Sequence, residues 1–420
     1  MGQTILRETE ILKLPYAQTT FSEMRKNGQI YVDKTDMICG LAKLDAAPVF
    51  LSRPRHFGKS LLLSTFESLF SQGLKDFENL KIIKKDLESN DRFWHNEKTY
   101  KVIHLDFSLY VSCDIDTFKY KLTQDLLSSI KDKDANDLTE AEKSISPIQV
   151  LKDYFRKKTG KSLVLLIDEY DSPITSSIDN PQKMKEMMDF ISSFFFTVKF
   201  CEGMFRFVCI TCVAKIGEPT LFSSPFENQI DISDRDDYST LMGITEDELH
   251  EYFDPYVQNA ATTLDMSVAD VYARLKSTYG GYLFAINALQ TVYNPSSLLS
   301  FLKNPEQGFA NYWYSPSSGV PTALFRYLQQ YENFETFNLL QSKVASSNCE
   351  EGEDTDLKVD WFDLISKHEP DKIPMNMLLY QSGCFTLKQT GKHRAKLVIP
   401  NDEIGMSLVQ LSNKMRYANH

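Results

Sequence analysis

No run of apolar residues in this chain is long enough to span a bilayer. The segment Met1–Pro15 mixes charges of both signs and lacks the pattern of a signal peptide. These two absences set aside a helical membrane protein and a secreted one, and a cytoplasmic protein is expected. Cysteine is sparse: seven scattered thiols in 420 residues fit a reducing compartment. Cys209 and Cys212 form a Cys-x-x-Cys, but no second pair completes a zinc site, and a spacing of three on a strand puts the two side chains on opposite faces. His-Glu-x-x-His is absent, the seven histidines are dispersed, and no Ser/His/Asp or Cys/His arrangement stands out. His104 falls in an apolar strand and reads as a core or strand-end residue rather than a ligand. An excess of basic charge is also missing. The net charge is −11, so contact with nucleic acid or an anionic membrane would need a local patch. Internal repeats and low-complexity tracts are absent.

What is present is ordinary globular composition, 42 % hydrophobic and 25 % charged, with length for two or three domains. Short apolar strands alternate with amphipathic helices through the first half. Strands are expected over 48–52, 102–107, 163–167 and 206–213, and helices over 36–43, 59–71, 115–131, 147–158 and 181–202. Leu163–Ile167 is continuously apolar, as in a parallel strand covered on both faces. The implied fold class is a three-layer α/β domain with a parallel sheet. After Asp231 the pattern changes. Residues 245–330 are helical and aromatic, opened by the cap Thr245 and an acidic first turn. Tyr279-Gly280-Gly281-Tyr282 reads as a helix stop, and Pro295 starts another helix. Glu350–Asp356 reads as a solvated linker. A helix at 376–381 and strands at 384–387 and 396–399 then make a unit resembling a winged helix.

The chemistry is carried by two strand ends. The first runs Val49-Phe50-Leu51-Ser52 into Arg53-Pro54-Arg55-His56-Phe57-Gly58-Lys59-Ser60-Leu61. A strand, a turn closing on Gly-Lys-Ser and a helix make a phosphate-binding loop: Gly58 lets the main chain approach, Lys59 reaches the β- and γ-phosphates, and Ser60 offers its hydroxyl to Mg²⁺. The general pattern has a glycine at position 53, where this chain has Arg53. Arg53 and Arg55 are open to three readings: contact with phosphate, contact with a neighbouring subunit, or solvation. The second strand end is Asp168-Glu169. There Asp168 is expected to hold Mg²⁺ and Glu169 to polarise the attacking water. Thr211, in the strand beside them, is a candidate to sense the γ-phosphate or the water, or is simply a good β-former.

Tyr31-Val32-Asp33-Lys34-Thr35, Phe50–Ser60 and Ile167-Asp168-Glu169-Tyr170-Asp171 together resemble the AAA-ATPase-like family. Tyr279-Gly280-Gly281-Tyr282, Tyr293-Asn294-Pro295, Tyr312-Trp313, Leu379–Gly383 and Pro400-Asn401-Asp402-Glu403 extend the resemblance to residues 12–405. Family members share the loop form Ser-Arg-Pro-Arg-x-Phe-Gly-Lys-Ser, so Arg53 is expected there. The resemblance implies a P-loop NTPase fold that uses ATP and Mg²⁺. Cys212 stands where the family often has glycine, which bears on the Thr211 assignment. Members usually carry a C-terminal nuclease domain of the PD-(D/E)XK type, which would begin near Pro400. No Asp…Glu-x-Lys core is found in the remaining residues, and nuclease activity is not carried over.

The expected organisation is an ATPase core over 1–240, a helical lid over 241–330 and a winged-helix-like region over 331–420. The leading reading is a Mg²⁺-dependent ATPase. The alternative is a nucleotide-gated binding or scaffold module with little hydrolysis, contacting a protein partner, a second copy of itself, DNA or a nuclease. Lys388, Lys392, His393, Arg394 and Lys396 form a small basic hairpin that could touch phosphates or simply be solvated.

Overall fold

The structure is a computed structural model that describes residues 12–15, 20–44, 48–111, 113–131, 139, 142, 145–157, 160–216, 229–314, 337, 374–391 and 394–418. The expected linker Glu350–Asp356 and the hairpin tip Lys392-His393 lie outside the described residues. Helices α1 (Phe21–Lys26) and α2 (Thr35–Lys43) lead into β1 (Val49–Ser52) and α3 (Lys59–Gln72). Then come α4 (Lys81–Glu88), α5 (Phe93–Asn96), β2 (Lys101–Asp106), α6 (Ile115–Lys131), α7 (Pro147–Lys157) and β3 (Leu163–Asp168). A short α8 (Ser172–Thr175), a long α9 (Pro181–Phe200), β4 (Phe205–Cys212) and the edge strand β5 (Ile230–Asp231) follow.

The five strands form one parallel sheet in the order β2-β3-β4-β1-β5. Every residue of β3 and β4 is buried, because helices cover both faces of the sheet and leave these central strands no solvated side. Helix α3 buries Leu62, Leu63, Phe66, Leu69 and Phe70; helical spacing anticipates Leu62, Phe66, Leu69 and Phe70, but Leu61, expected with them, is only half-buried and Leu63 takes its place. The rings of Phe66 and Phe70 lie 4.8 and 5.1 Å from that of Phe207 in β4. Truncating either ring to alanine would cost about 3–5 kcal/mol.

The order of strands positions the site. The chain leaves β1 for the far edge and returns through β3 to β4, so β4 lies between β1 and β3. Leu51 pairs with Thr211, and Ile167 with Ile210. The loop after β1 and the acids ending β3 therefore open at the carboxyl end of the sheet, with Thr211 between them. Ligand crevices in open parallel sheets form at such carboxyl ends.

Helices α10 (Glu246–Leu264), α11 (Val268–Tyr279) and α12 (Pro295–Lys303) build the region after the sheet around a second apolar core, which also takes Ile30. Thr245 and Glu248 form a reciprocal capping box at the start of α10. The same Glu248 carboxylate receives the buried Lys34 ammonium at 2.5 and 2.7 Å, and Lys34 also donates to Thr240 O at 2.7 Å. This bond ties the segment before α2 to the helical region.

At the far end, α13 (Met375–Gln381) precedes the antiparallel hairpin of β6 (Thr386–Gly391) and β7 (Arg394–Val398), followed by α14 (Asp402–Ala418). The hairpin strands lie close to the expected segments. The edge strand β5 and helix α14 carry no strong sequence signal and were not anticipated. Residues of α13, the hairpin and α14 share their apolar core with the sheet rather than with the helical region. Among the described residues, no helix is long and apolar enough to cross a membrane.

Candidate nucleotide-binding site

The loop between β1 and α3 is built around two left-handed residues, His56 (φ +69°) and Gly58 (φ +96°). Gly58 meets nothing within 4 Å of where a Cβ would stand, so the main chain is open to approach there. Helix α3 starts at Lys59 with no side-chain cap, leaving its first N–H groups and the positive end of its dipole at the loop. The buried Lys59 ammonium is held inside the loop by the carbonyls of Arg53 and Pro54, each at 3.2 Å. Ser60 Oγ donates to Asp168 Oδ2 at 2.5 Å, so the helix start and the end of β3 meet directly.

The second acid sits in a special backbone position. Glu169 leaves β3 at φ +48°, and its N–H donates to Thr211 Oγ1 at 3.4 Å. Asp171 is 2 % exposed and accepts from Val213 N at 3.2 Å and Ala214 N at 2.8 Å, fastening the turn after β3 to the end of β4. Burial pushes its carboxyl up to about 6, against the pull of those two N–H groups and with Glu169 adding repulsion.

An apolar cleft of about 120 Å³ adjoins the loop. Phe57, Gly58 and Leu61 of the loop and α3 line it together with Tyr31, Val32, Leu241–Ile244 and Pro295. A phosphate-binding loop, a paired hydroxyl and carboxylate, and an apolar slot beside them are the parts a nucleoside phosphate needs: a π-face for the base and donors for the phosphates.

A family model described as Predicted AAA-ATPase, AAA-ATPase-like, matches residues 15–222. Residues 15–222 belong to the AAA-ATPase-like family. The matched segment of this AAA-ATPase-like domain holds α1 to β4 and both strand ends. An uncharacterized protein in the vnfD 5′ region of Azotobacter chroococcum mcd 1 is 28% identical over 401 residues, covering 94% of this chain and 69% of that protein. The crystal structure of Cdc6p from Pyrobaculum aerophilum aligns over 97% of each chain at 11% identity, with a TM-score of 0.32, too low to carry an argument.

Within the AAA-ATPase-like domain, the structure divides the residues that the sequence groups as one loop. Phe57, Gly58 and Leu61 line the cleft, Ser60 meets Asp168, and Lys59 is held by the loop carbonyls. Arg53 and Pro54 face the other way. Arg53 is neither solvated nor aimed at the loop's mouth: it is 2 % exposed and donates to the carbonyls of Ser52 at 2.9 Å and Ser233 at 2.5 Å. Its guanidinium lies 4.4 Å from the Phe284 ring centre. Burial draws its pKa down to about 10. Pro54 packs so closely on Gly383 that a Cβ there would stand 2.9 Å from the proline ring. Arg55 is half-buried and His56 is exposed at the turn.

Thr211 also departs from its expected role as a sensor. The side chain is fully buried, and its hydroxyl donates to Asp168 Oδ1. The hydroxyl anchors the acid instead of facing outward. Cys209 and Cys212 are both buried in β4, and burial raises both thiols well above their ordinary value. His104 Nδ1 donates to the Glu67 carboxylate at 2.8 Å.

The sequence reading missed several neighbours of the site. Asp106 stands in register with Asp168 at the end of β2. Burial raises its carboxyl, with repulsion from Asp168 and Glu169 adding to the rise. Its place at the end of an apolar strand was a usable signal. The cleft walls carried no chemical signature, because slots of this kind are lined by ordinary apolar residues.

Proposed function

We propose that this chain is a Mg²⁺-dependent ATPase, with the base in the apolar cleft and the phosphates on Gly58, Lys59 and Ser60. The observation that carries the reading is the 2.5 Å contact between Ser60 Oγ and Asp168 Oδ2. A hydroxyl at the start of a loop-capping helix and a carboxylate at a strand end are hard oxygen donors of the kind Mg²⁺ prefers. Ser60 and Asp168 would hold the ion, and when bound it neutralises phosphate charge. Lys59 lies against loop carbonyls, and phosphate oxygens would take over its donors. Asp168 is oriented by Thr211 and Ser60 together, which fixes both of its oxygens. Glu169 serves as the base that polarises the attacking water. Arg53 does not touch phosphate in this mechanism. It secures the loop's base, and Thr211 acts through Asp168. A cytoplasmic location is part of the proposal.

ATP binding and hydrolysis with Mg²⁺ test it, for wild type beside Lys59→Ala and Glu169→Gln. Lys59→Ala should abolish binding. Glu169→Gln should bind normally and turn over at least a hundredfold more slowly, roughly the contribution of a general base. Normal turnover by Glu169→Gln would remove the base assignment, and no binding by wild type would remove the reading as a whole.

The contacts of Arg53 and Pro54 favour a second reading, a nucleotide-gated module. Lys215 N donates to Gln381 Oε1 at 2.7 Å, and Pro54 abuts Gly383, so the far end of the chain rests on the loop. ATP binding without turnover would select this reading. The partner served would then be a protein, a second copy of the chain or nucleic acid.

A further inference from the structure

Glu169 is held by more than the strand it ends. Its left-handed backbone (φ +48°) costs on the order of 1 kcal/mol for a residue with a side chain, so neighbouring bonds must impose it. Its N–H donates to Thr211 Oγ1, and its C=O accepts from Ser172 N at 3.0 Å. The side chain is fixed by the same residue: Ser172 Oγ donates to Glu169 Oε2 at 2.9 Å. Ser172 is 7 % exposed, whereas Glu169 is half-buried at the carboxyl end of the sheet. The hydroxyl is thus anchored and the carboxylate is the part it steadies. A glutamate has three rotatable bonds, and leaving them free disperses the carboxylate over several positions.

We propose that Ser172 is a positioning residue for Glu169. It binds neither nucleotide nor metal, but holds one carboxylate oxygen so that the other faces the crevice at the loop. The inference rests on the ATPase reading, in which Glu169 polarises water. It adds a residue that no general ATPase pattern calls for. Serine at the first position of a short helix has an evident structural use as well, so the test must separate orientation of the base from stability of the turn.

Steady-state ATP turnover and equilibrium ATP binding of the full chain make that separation. Ser172→Ala should lower kcat roughly tenfold, as expected for losing a bond to a charged group, with KM and nucleotide affinity within about twofold of wild type. Ser172→Thr keeps the hydroxyl and should restore most of the rate. In the double variant Glu169→Gln/Ser172→Ala, the second change should cost nothing further, since its only route to the rate is through Glu169. Should the alanine variant unfold, Ser172→Cys keeps the volume with a poor donor and should show the same loss in kcat. Full turnover in Ser172→Ala, equal losses in kcat and affinity, or an additive double variant would each overturn the proposal. If wild type turns over ATP, Glu169→Gln is blocked and Ser172→Ala is unaffected, the Ser172 proposal alone fails. If wild type never turns over ATP, both readings fall.

Discussion

Asp171 lets the physics of the site be tested without any ligand. The carboxyl is almost fully buried, faces two backbone N–H groups from the end of β4, and is pushed by burial from 3.8 to about 6. The shift is a little over two units, and at 1.36 kcal/mol per unit it amounts to about 3 kcal/mol. The sign follows from proton counting. Between the two values the native chain keeps the proton that the unfolded chain has lost, so unfolding free energy falls as pH rises. The stabilisation is complete below about pH 4 and gone above about pH 6. Asp171→Asn cannot ionise and should lack this slope. The amide places an NH₂ against one of the two N–H groups. That cost does not change with pH and drops out of the comparison. Urea unfolding of both proteins, followed by tryptophan fluorescence between pH 4.5 and 7.5, should show the variant gaining on wild type by about 2 kcal/mol as pH rises, the rest of the effect lying below that range. Other titrating groups are common to both chains and cancel. Parallel curves across that range would refute the claim that burial outweighs the two N–H bonds.

Two further variants probe how the far end of the chain is attached. Gly281 has φ +87°, and a Cβ there would stand 2.2 Å from Pro400 O, so Gly281→Ala should lose about 2–3 kcal/mol or more in denaturant unfolding. A variant as stable as wild type would mean that the approach of these two backbones is easily relaxed. Glu403 is fully buried at the start of α14, where Oε1 accepts from Tyr312 N at 2.7 Å and Trp313 N at 2.9 Å. Burial raises its pKa. Glu403→Gln keeps that acceptor and should change stability by less than about 1 kcal/mol. Glu403→Ala strands two N–H groups and should cost about 2–4 kcal/mol, read from the same unfolding curves. Equal losses in the two variants would show that the charge matters more than the acceptor.

Local rules made the central sheet and its helices legible. Leu163–Ile167 is too apolar for any place but a doubly covered strand, and the spacing of Leu62, Phe66, Leu69 and Phe70 admits one helix face. The meeting of Ser60 with Asp168 was legible too, because strand-end chemistry survives a large separation in sequence. What could not be read was the direction of individual side chains. Thr211 has the residue type of a sensor, but whether its hydroxyl faces a phosphate or a carboxylate depends on the register of β4 against β3. The apolar cleft was invisible for a different reason. Tyr31, Leu241 and Pro295 come from three distant segments, and only tertiary packing brings them together. The two-residue β5 is too short to carry a periodic signal.

Arg53 shows why a broken pattern can still be a sound site. The general loop uses a glycine at this point to let the chain turn early. Here Arg53 N donates to Cys212 O at 3.1 Å, which continues the pairing of β1 with β4 by one residue. The chain does not turn at 53 and has no need of glycine there. The left-handed steps come later, at His56 and Gly58, immediately before the helix. Freed from the turn, position 53 can carry a long side chain, and its guanidinium reaches carbonyls of Ser52 and Ser233 and the face of Phe284. Burying a cation this deeply is costly unless its donors are met. Backbone carbonyls meet most of them, so the charge is retained while the base of the loop is fixed to the segments around it. The missing glycine thus marks an extended strand end, and the Gly58-Lys59-Ser60 half of the loop keeps the residues of the general pattern.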